Sequence, residues 1–278
     1  MSQKPNIRKP AVSGMFYDDS PALLRKQIKG FLEKAQVSKP QGIVRGLVSP
    51  HAGYVYSGFT AAHAYKLIQG CSYDAVVLIG PSHREYFDGI SVFSGDAYET
   101  PLGIISVHKE VREELLQKGR TIISSVIGHR AEHSLEVQLP FLQEVLGEFS
   151  LIPVVLGDQR YDLCSELIDA LVNISAKRNL LFIASSDLSH YHSSKEARLL
   201  DRQVLDQIQL FNPKAFFRLL DENAVEACGG GPIGVVMDVA QRLGANKADI
   251  LHSCNSGDIT GDTNTVVGYM AAAFQQVS

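Results

Sequence analysis

The sequence predicts an α/β fold in which a largely parallel sheet lies between helices on both faces. Strand-like and helix-like segments alternate along nearly all of the 278 residues, and such alternation is typical of a sheet covered by helices. No linker, low-complexity tract or charge run interrupts the chain, and single α/β domains often reach this length. We therefore predict one domain over residues 1–278.

The first 20 residues are predicted to form an extended arm, because Pro5, Pro10 and Gly14 interrupt them. The only early basic run, residues 4–9, is predicted to be solvated within this arm. A helix is predicted to begin at Pro21, since proline is favoured at the first helical position. Apolar residues recur at helical spacing from there to residue 36.

Apolar periodicity and glycine or proline boundaries define the remaining segments. Predicted strands cover residues 43–48, 75–80, 90–94, 103–108, 151–157, 180–187, 248–257 and 265–274. Predicted helices cover residues 57–70, 110–119, 134–147 (despite Pro140), 161–177 and 231–244, with two further helical stretches before the last of these.

Composition excludes several classes of protein. The net charge is -4 with a pI of about 6.1, and no basic face stands out, which argues against nucleic-acid binding. No stretch approaches the ~18 continuous apolar residues of a membrane helix, and the amino terminus lacks the apolar core of a signal peptide. None of the four cysteines lies in a C-x-x-C pair, so a cytoplasmic protein with free thiols is expected.

Two histidines follow apolar strands in the same way. His51 comes after "LVSP" and His83 comes after "LIGPS". Ligands of α/β sheets bind beyond the carboxyl ends of the strands. A turn-stabilising role is as plausible for either histidine alone, but the repeated context favours one shared functional site.

Three further clusters carry reactive side chains. Asp187 and His190 are three residues apart, so a helical turn would place the carboxylate beside the imidazole, whereas His192 is predicted to lie on the surface. His133 is predicted to open a helix, and a histidine in that position has a depressed pKa and can donate a hydrogen bond while neutral. Cys228 precedes a glycine-rich turn and a helix, where a thiol tends toward thiolate and can serve as metal ligand or nucleophile.

The other histidines are predicted to be packed or surface residues, and the other cysteines are predicted to be buried small hydrophobic side chains. They are His63, His108, His129, His252, Cys71, Cys164 and Cys254.

Six ordered motifs and the opening segment of the chain resemble the Memo family, including the prokaryotic AmmeMemoRadiSam system protein B. The motifs are "PHAGYVYSG", "LIGPSHREYFDGISV", "ETPLG", "EHSLEVQLPFLQ", "SSDLSHY" and "CGGGPIGVVM", and the opening segment is "RKPAVSGMFYDDSP". The resemblance covers almost the entire chain. It implies a three-layer domain with a mostly parallel or mixed sheet, similar to the class III extradiol (LigB-like) dioxygenases, which bind non-haem iron(II).

The resemblance also implies roles for single residues. His51 and His83 match the two histidine ligands of the dioxygenase iron, and Cys228 takes the position of the third ligand, which is a glutamate in the dioxygenases. His190 matches their acid/base histidine and His133 a second active-site histidine. Asp187 belongs to the same constellation.

Two imidazoles and one thiolate suit iron(II), copper or zinc. Dioxygen chemistry beside a thiolate also risks oxidation of that ligand. Metal binding is therefore better supported than ring cleavage of a catechol.

Three hypotheses for function follow. The first is a redox metalloenzyme acting on a small molecule, with a phenol as one candidate. In it, His190 is the acid/base, oriented by Asp187, and His133 donates a hydrogen bond to a developing anion. The second is a scaffold protein that binds a protein partner and retains the dioxygenase-like pocket. The third is a thiol hydrolase with Cys228 as nucleophile and the His190–Asp187 pair as base.

Overall fold

A central mixed sheet with helices on both faces forms the core, as the sequence predicts. The computed structural model describes residues 4–278. Its strands are β1 (Ile7–Arg8), β2 (Gly42–Ser49), β3 (Ala75–Pro81), β4 (Ile90–Phe93), β5 (Ala97–Thr100), β6 (Gly103–Ser106), β7 (Ile122–Ser125), β8 (Leu151–Leu156), β9 (Leu180–Ser185), β10 (His190–His192), β11 (Lys247–Asn255) and β12 (Val266–Val277). Its α-helices are α1 (Pro21–Lys34), α2 (Tyr54–Leu67), α3 (Lys109–Leu116), α4 (Leu139–Leu146), α5 (Tyr161–Ser175), α6 (Ser194–Leu210), α7 (Pro213–Asp221), α8 (Gly230–Arg242) and α9 (Gly257–Thr260).

The centre of the sheet is parallel and its flanks are mixed. Within residues 4–278 the strand order is β10-β12-β2-β9-β3-β8-β4-β7, with β11 beside β12. Strands β2, β9, β3 and β8 run parallel to one another, whereas β12 and β4 join them antiparallel. Every residue of β3, β8 and β9 is buried, as expected of parallel strands covered on both faces.

Alternate side chains of each strand enter two separate cores. Val77 and Ile79 of β3 pack on the face covered by α3, α5, α6, α7 and α8. Val76 and Leu78 pack on the opposite face, under α1, α2 and α4. The three-layer arrangement therefore follows from the two-residue period of buried strands.

Some predicted boundaries were wrong. The helix predicted over 134–147 is a 3₁₀ turn at Glu136–Gln138 followed by α4, whose first turn contains Pro140. Proline has no backbone N–H, so it is tolerated in the first turn of a helix, where the N–H groups have no partner within the helix. Strands β1, β5, β7 and β10 were not predicted. All are short, and β1, β5 and β6 form a separate small sheet.

The solvated amino-terminal arm was also a wrong prediction at Arg8. This side chain is buried and forms an ion pair with the fully buried Glu136. Its partner lies 128 residues away, so no local pattern could have indicated the contact.

In the part of the chain that the structure describes, none of the helices has the length and apolar character needed to cross a bilayer.

Candidate metal centre

The carboxyl ends of three adjacent parallel strands meet at one edge of the sheet. Strands β2, β9 and β3 are neighbours, and His51 and His83 each follow their strand by two residues. Cys228 enters the same place from the turn before α8, a helix that packs against β9. One ligand atom from each of these three residues lies within 4.8 Å of the others.

The contacts within this trio are close. Cys228 Sγ is 3.2 Å from His51 Nε2, and the ring centroids of His51 and His83 are 5.0 Å apart. The three residues that the sequence places together are therefore brought together by the fold.

The hydrogen bonds of Ser185 determine the tautomer of His51. Ser185 Oγ donates its only proton to the carbonyl of Ser134 at 2.6 Å and accepts from the Gln138 amide at 2.8 Å. It must therefore accept from His51 Nδ1, 2.9 Å away. A neutral imidazole protonated at Nδ1 carries its lone pair on Nε2, the atom that faces Cys228.

Glu132 has the same effect on His83. Its Oε1 lies 3.0 Å from His83 Nδ1, and its Oε2 accepts from the His83 backbone N–H at 2.6 Å. Despite burial, the hydrogen bonds and charge of His83 hold the pKa of Glu132 well below its usual range. The carboxylate therefore keeps the proton of His83 on Nδ1 and leaves Nε2 free as a ligand atom.

Glu132 is itself poorly suited to bind metal. With His83 and His133 it forms a second group whose ligand atoms lie close together. However, Oε1 also accepts from the backbone N–H groups of His133 and Ser134, at 3.0 and 2.9 Å. A carboxylate with this many donors is an outer partner of the histidines rather than a ligand.

Sequence reasoning assigned no role to Glu132, Ser185 or Gln159. Glu132 immediately precedes His133, and that adjacency was the available signal. Gln159 forms two hydrogen bonds with the turn that carries Cys228. Its side-chain amide donates to the Cys228 carbonyl at 2.8 Å, and its Oε1 accepts from the backbone N–H of Gly231 at 2.8 Å. In the same turn, a Cβ on Gly229 would lie 2.4 Å from the Ser185 carbonyl oxygen, so only glycine lets the turn approach β9 this closely.

The expectation that Cys228 tends toward thiolate through the protein's own groups was wrong. Burial, followed by the charge of Asp187, raises the pKa of the thiol well above its usual value, and the nearby backbone and hydroxyl donors lower it by less. Cys228 as a whole is partly exposed, but its sulfur lies beside the buried His51 and Asp187, and this desolvation outweighs the helix terminus. A cation bound beside the sulfur would reverse this balance.

Asp187 does not orient His190, contrary to prediction. Residues 186–189 are not helical. The Asp187 carboxylate accepts a hydrogen bond from the backbone N–H of His51 at 2.7 Å. The backbone N–H of His190 donates to the Glu226 carboxylate at 2.9 Å. Among the described residues, no hydrogen bond joins the Asp187 and His190 side chains. The base–orienter pair required by the thiol-hydrolase hypothesis is therefore not formed.

Burial raises the pKa of Asp187 to about 7, against opposing effects of the His51 and Ala52 N–H groups and of His83. The unfolded chain loses this proton near pH ~4, whereas the folded protein retains it to about pH 7. The folded state thus binds the extra proton between these values, so its stability falls as pH rises through this window and levels off above it.

We expect Asp187→Asn to remove this pH dependence. In protein kept metal-free with chelator, the stability of wild type relative to Asp187→Asn should fall between pH ~4 and ~7 by up to about 1.4 kcal/mol per pH unit. Urea unfolding at several pH values measures it. Asp169→Asn, at an exposed carboxylate, is the control and should retain the wild-type slope; a pH-independent difference for Asp187→Asn would contradict the prediction.

His133 and His190 complete the surroundings of the trio. The His133 ring stacks on His83 at 4.8 Å and meets His51 edge-on at 5.4 Å. Burial lowers the pKa of His133 to about 4; it precedes the 3₁₀ turn, so burial rather than a helix terminus is the main cause. Burial also lowers the pKa of His190, and both imidazoles are neutral at pH 7.

The remaining histidines and cysteines lie outside this cluster. His192 is partly exposed and pairs with Glu226. His63 stacks on His252 at 4.4 Å, His108 caps α3, and His129 is buried against Tyr98. Of the cysteines predicted to be buried, Cys164 is buried, whereas Cys71 and Cys254 are partly exposed.

Comparison with known proteins agrees with the sequence motifs. The family described as Memo-like protein matches residues 8–273. A MEMO1 family protein of Methanosarcina barkeri is 41% identical over 95% of this chain and 98% of its own. MEMO1 family proteins of Nitrosopumilus maritimus and Sulfolobus acidocaldarius are 36% and 39% identical, each over 96% of this chain and 99% of their own.

The fold also has a solved counterpart. An uncharacterized protein of Escherichia coli K12 superposes with a TM-score of 0.55, at 11% identity, over 83% of this chain and 99% of that one. This likeness supports the single α/β domain with a mixed sheet. With a family match over nearly the whole chain and relatives at this level of identity, the chain belongs to the Memo family.

Proposed function

We propose that this protein binds a redox-active metal ion, iron(II) or copper, through His51, His83 and Cys228, and acts on a small molecule. The observation that carries the proposal is the convergence of two imidazole nitrogens and a sulfur within 4.8 Å of one another. Zinc also suits this donor set, so the donors support metal binding directly, and the redox character rests on the resemblance to class III dioxygenases.

The surroundings of the three donors fit a cation. Ser185 and Glu132 hold the Nδ1 protons, so both Nε2 lone pairs are available. The low pKa of Glu132 keeps a negative charge next to His83. The Cys228 thiol, whose pKa is raised, is the group whose ionisation a cation would favour most.

A bound iron(II) or copper ion supplies one-electron chemistry and coordination positions open to a small molecule. The protein's own groups would bind and orient that molecule. Neutral His133, whose ring centroid lies 4.9 Å from that of Phe16, can donate a hydrogen bond to a developing anion or accept one from a hydroxyl. Half-buried His190 can exchange a proton between the site and solvent. A phenol fits these groups, because its hydroxyl can donate a hydrogen bond to a neutral imidazole.

The test is the metal content and oxygen consumption of protein purified anaerobically. We expect about one iron or copper ion per chain, removable by chelator, and metal-dependent oxygen uptake on addition of a catechol. Metal without oxygen uptake on any phenol tested would favour the scaffold hypothesis. Wild-type protein that neither retains metal nor binds added Co²⁺ would reject the proposal.

Replacing Glu132 by glutamine should weaken metal binding about 10–100-fold, the usual effect of losing an outer partner of a histidine ligand. The amide keeps the size of the side chain but lacks the charge, and it has one acceptor oxygen where the carboxylate has two. Anaerobic titration with Co²⁺ measures the affinity. Glu144→Gln, whose carboxylate pairs with Arg25 and Lys29 near the surface, is the control; equal affinities would argue against this role of Glu132.

A further inference from the structure

The amino-terminal segment, residues 8–17, contacts two parts of the chain beside the candidate metal centre, the stretch 129–136 and the start of α2. Arg8 donates to the backbone carbonyls of His129 at 3.0 Å and of Glu132 at 2.5 Å, and it forms the buried ion pair with Glu136. It therefore holds the stretch 129–136 at three points. Glu132, the partner of His83, lies within that stretch.

Glu136 ties the rest of the segment to the same stretch. Its carboxylate accepts from the backbone N–H groups of Ala11 at 2.8 Å and Val12 at 3.0 Å, and from the Tyr17 hydroxyl at 2.6 Å. Every partner of the carboxylate in the described chain thus comes from the amino-terminal segment.

Phe16 extends these contacts to His133 and to the start of α2. Its ring lies 4.9 Å from that of His133, and its carbonyl accepts from the Tyr54 N–H at 2.7 Å. Tyr54 begins α2 and ends the short turn that carries His51. The segment accordingly connects the turn that carries His51 with the stretch 129–136, in which Glu132 hydrogen-bonds His83.

We propose that Arg8 is a positioning residue for the metal centre. The amino-terminal segment, which is hydrogen-bonded to Glu136, then sets the affinity of the site for metal. This inference rests on the proposed function. Arg8 touches neither a ligand side chain nor the ligand atoms. It acts by locating the backbone of Glu132, and hence the carboxylate that orients the His83 ring.

The affinity test separates positioning from general stability. Folded Arg8→Lys and Arg8→Met variants should bind Co²⁺ about tenfold more weakly than wild type in anaerobic titration, within the range for residues outside the ligand shell. Lysine keeps the positive charge beside Glu136 but cannot reach all three acceptors of the guanidinium. Arg178→Met is the control and should bind Co²⁺ as wild type does, because Arg178 pairs with Glu114 before the first residue of β9, at the end of that strand opposite the site.

A second measurement needs no variant. Because coupling between sites is reciprocal, Zn²⁺ binding to the wild-type chain should slow hydrogen exchange at the Ala11 and Val12 amides. If both Arg8 variants fail to fold, this exchange result decides. The inference is overturned if a folded Arg8 variant binds Co²⁺ with wild-type affinity. It is also overturned if no variant folds and Zn²⁺ leaves the exchange of the Ala11 and Val12 amides unchanged. Wild-type protein that binds neither ion overturns the proposed function itself.

Discussion

Replacing Glu136 by glutamine is expected to lower the free energy of unfolding by about 3–5 kcal/mol, the usual cost of removing one partner from a buried ion pair. Glu136 is fully buried, and Arg8 is only 6% exposed. The substitution would leave the guanidinium charge enclosed without a counter-charge. It would also replace an acceptor of four hydrogen-bond donors by an amide that has one acceptor oxygen. Urea unfolding at pH 7 measures the loss.

A surface ion pair provides the comparison for this prediction. Glu114 forms a bidentate pair with Arg178 but is 43% exposed, so Glu114→Gln should cost much less stability than Glu136→Gln. Similar losses for the two variants would show that burial of the Arg8–Glu136 pair has no special energetic role.

Replacing Cys228 by serine is expected to weaken metal binding by more than about 100-fold, beyond the effect of losing an outer partner. Serine has nearly the same shape and can keep the hydrogen bond from Asp187 N–H, which meets the sulfur at 3.2 Å. It does not supply a thiolate, the soft ligand that copper and zinc favour. Anaerobic Co²⁺ titration should also lose the absorption band that arises from thiolate coordination.

Cys254 is the matched control for Cys228. It is a partly exposed thiol whose sulfur lies 3.2 Å from the Thr60 hydroxyl, outside the candidate centre. Cys254→Ser should retain the wild-type affinity and absorption band. A Cys228→Ser variant that retained both would exclude the sulfur as a ligand.

The parts of the site that the sequence could predict share one property: their context is local. His51 and His83 each follow an apolar strand, and the rule that parallel strands deliver ligand-binding groups at their carboxyl ends is independent of the rest of the chain. The match of Cys228 to the third ligand came from resemblance, because a cysteine 145 residues after His83 has no local pattern that links the two. The structure places its sulfur beside His51.

The two wrong predictions about the site concern a contact and a pKa, both of which depend on the surroundings of the residue. Local spacing suggested that Asp187 faces His190 and that the helix terminus lowers the pKa of Cys228. In the structure the strand edge turns Asp187 toward the His51 backbone, and enclosure raises the thiol pKa. Both results follow from desolvation and from contacts across the sheet, which residue spacing does not encode.

The sequence by itself determined the fold class, the family and the two strand-end histidines, since strand periodicity and ordered motifs are properties of neighbouring residues. Only the tertiary structure decided which protons the site holds and what supports it. Glu132 and Ser185 set the imidazole tautomers, and Arg8 joins the amino terminus to the stretch that carries Glu132. The physical reason is that hydrogen-bond partners and burial are assigned by chain segments that meet only after folding, here up to 177 residues apart.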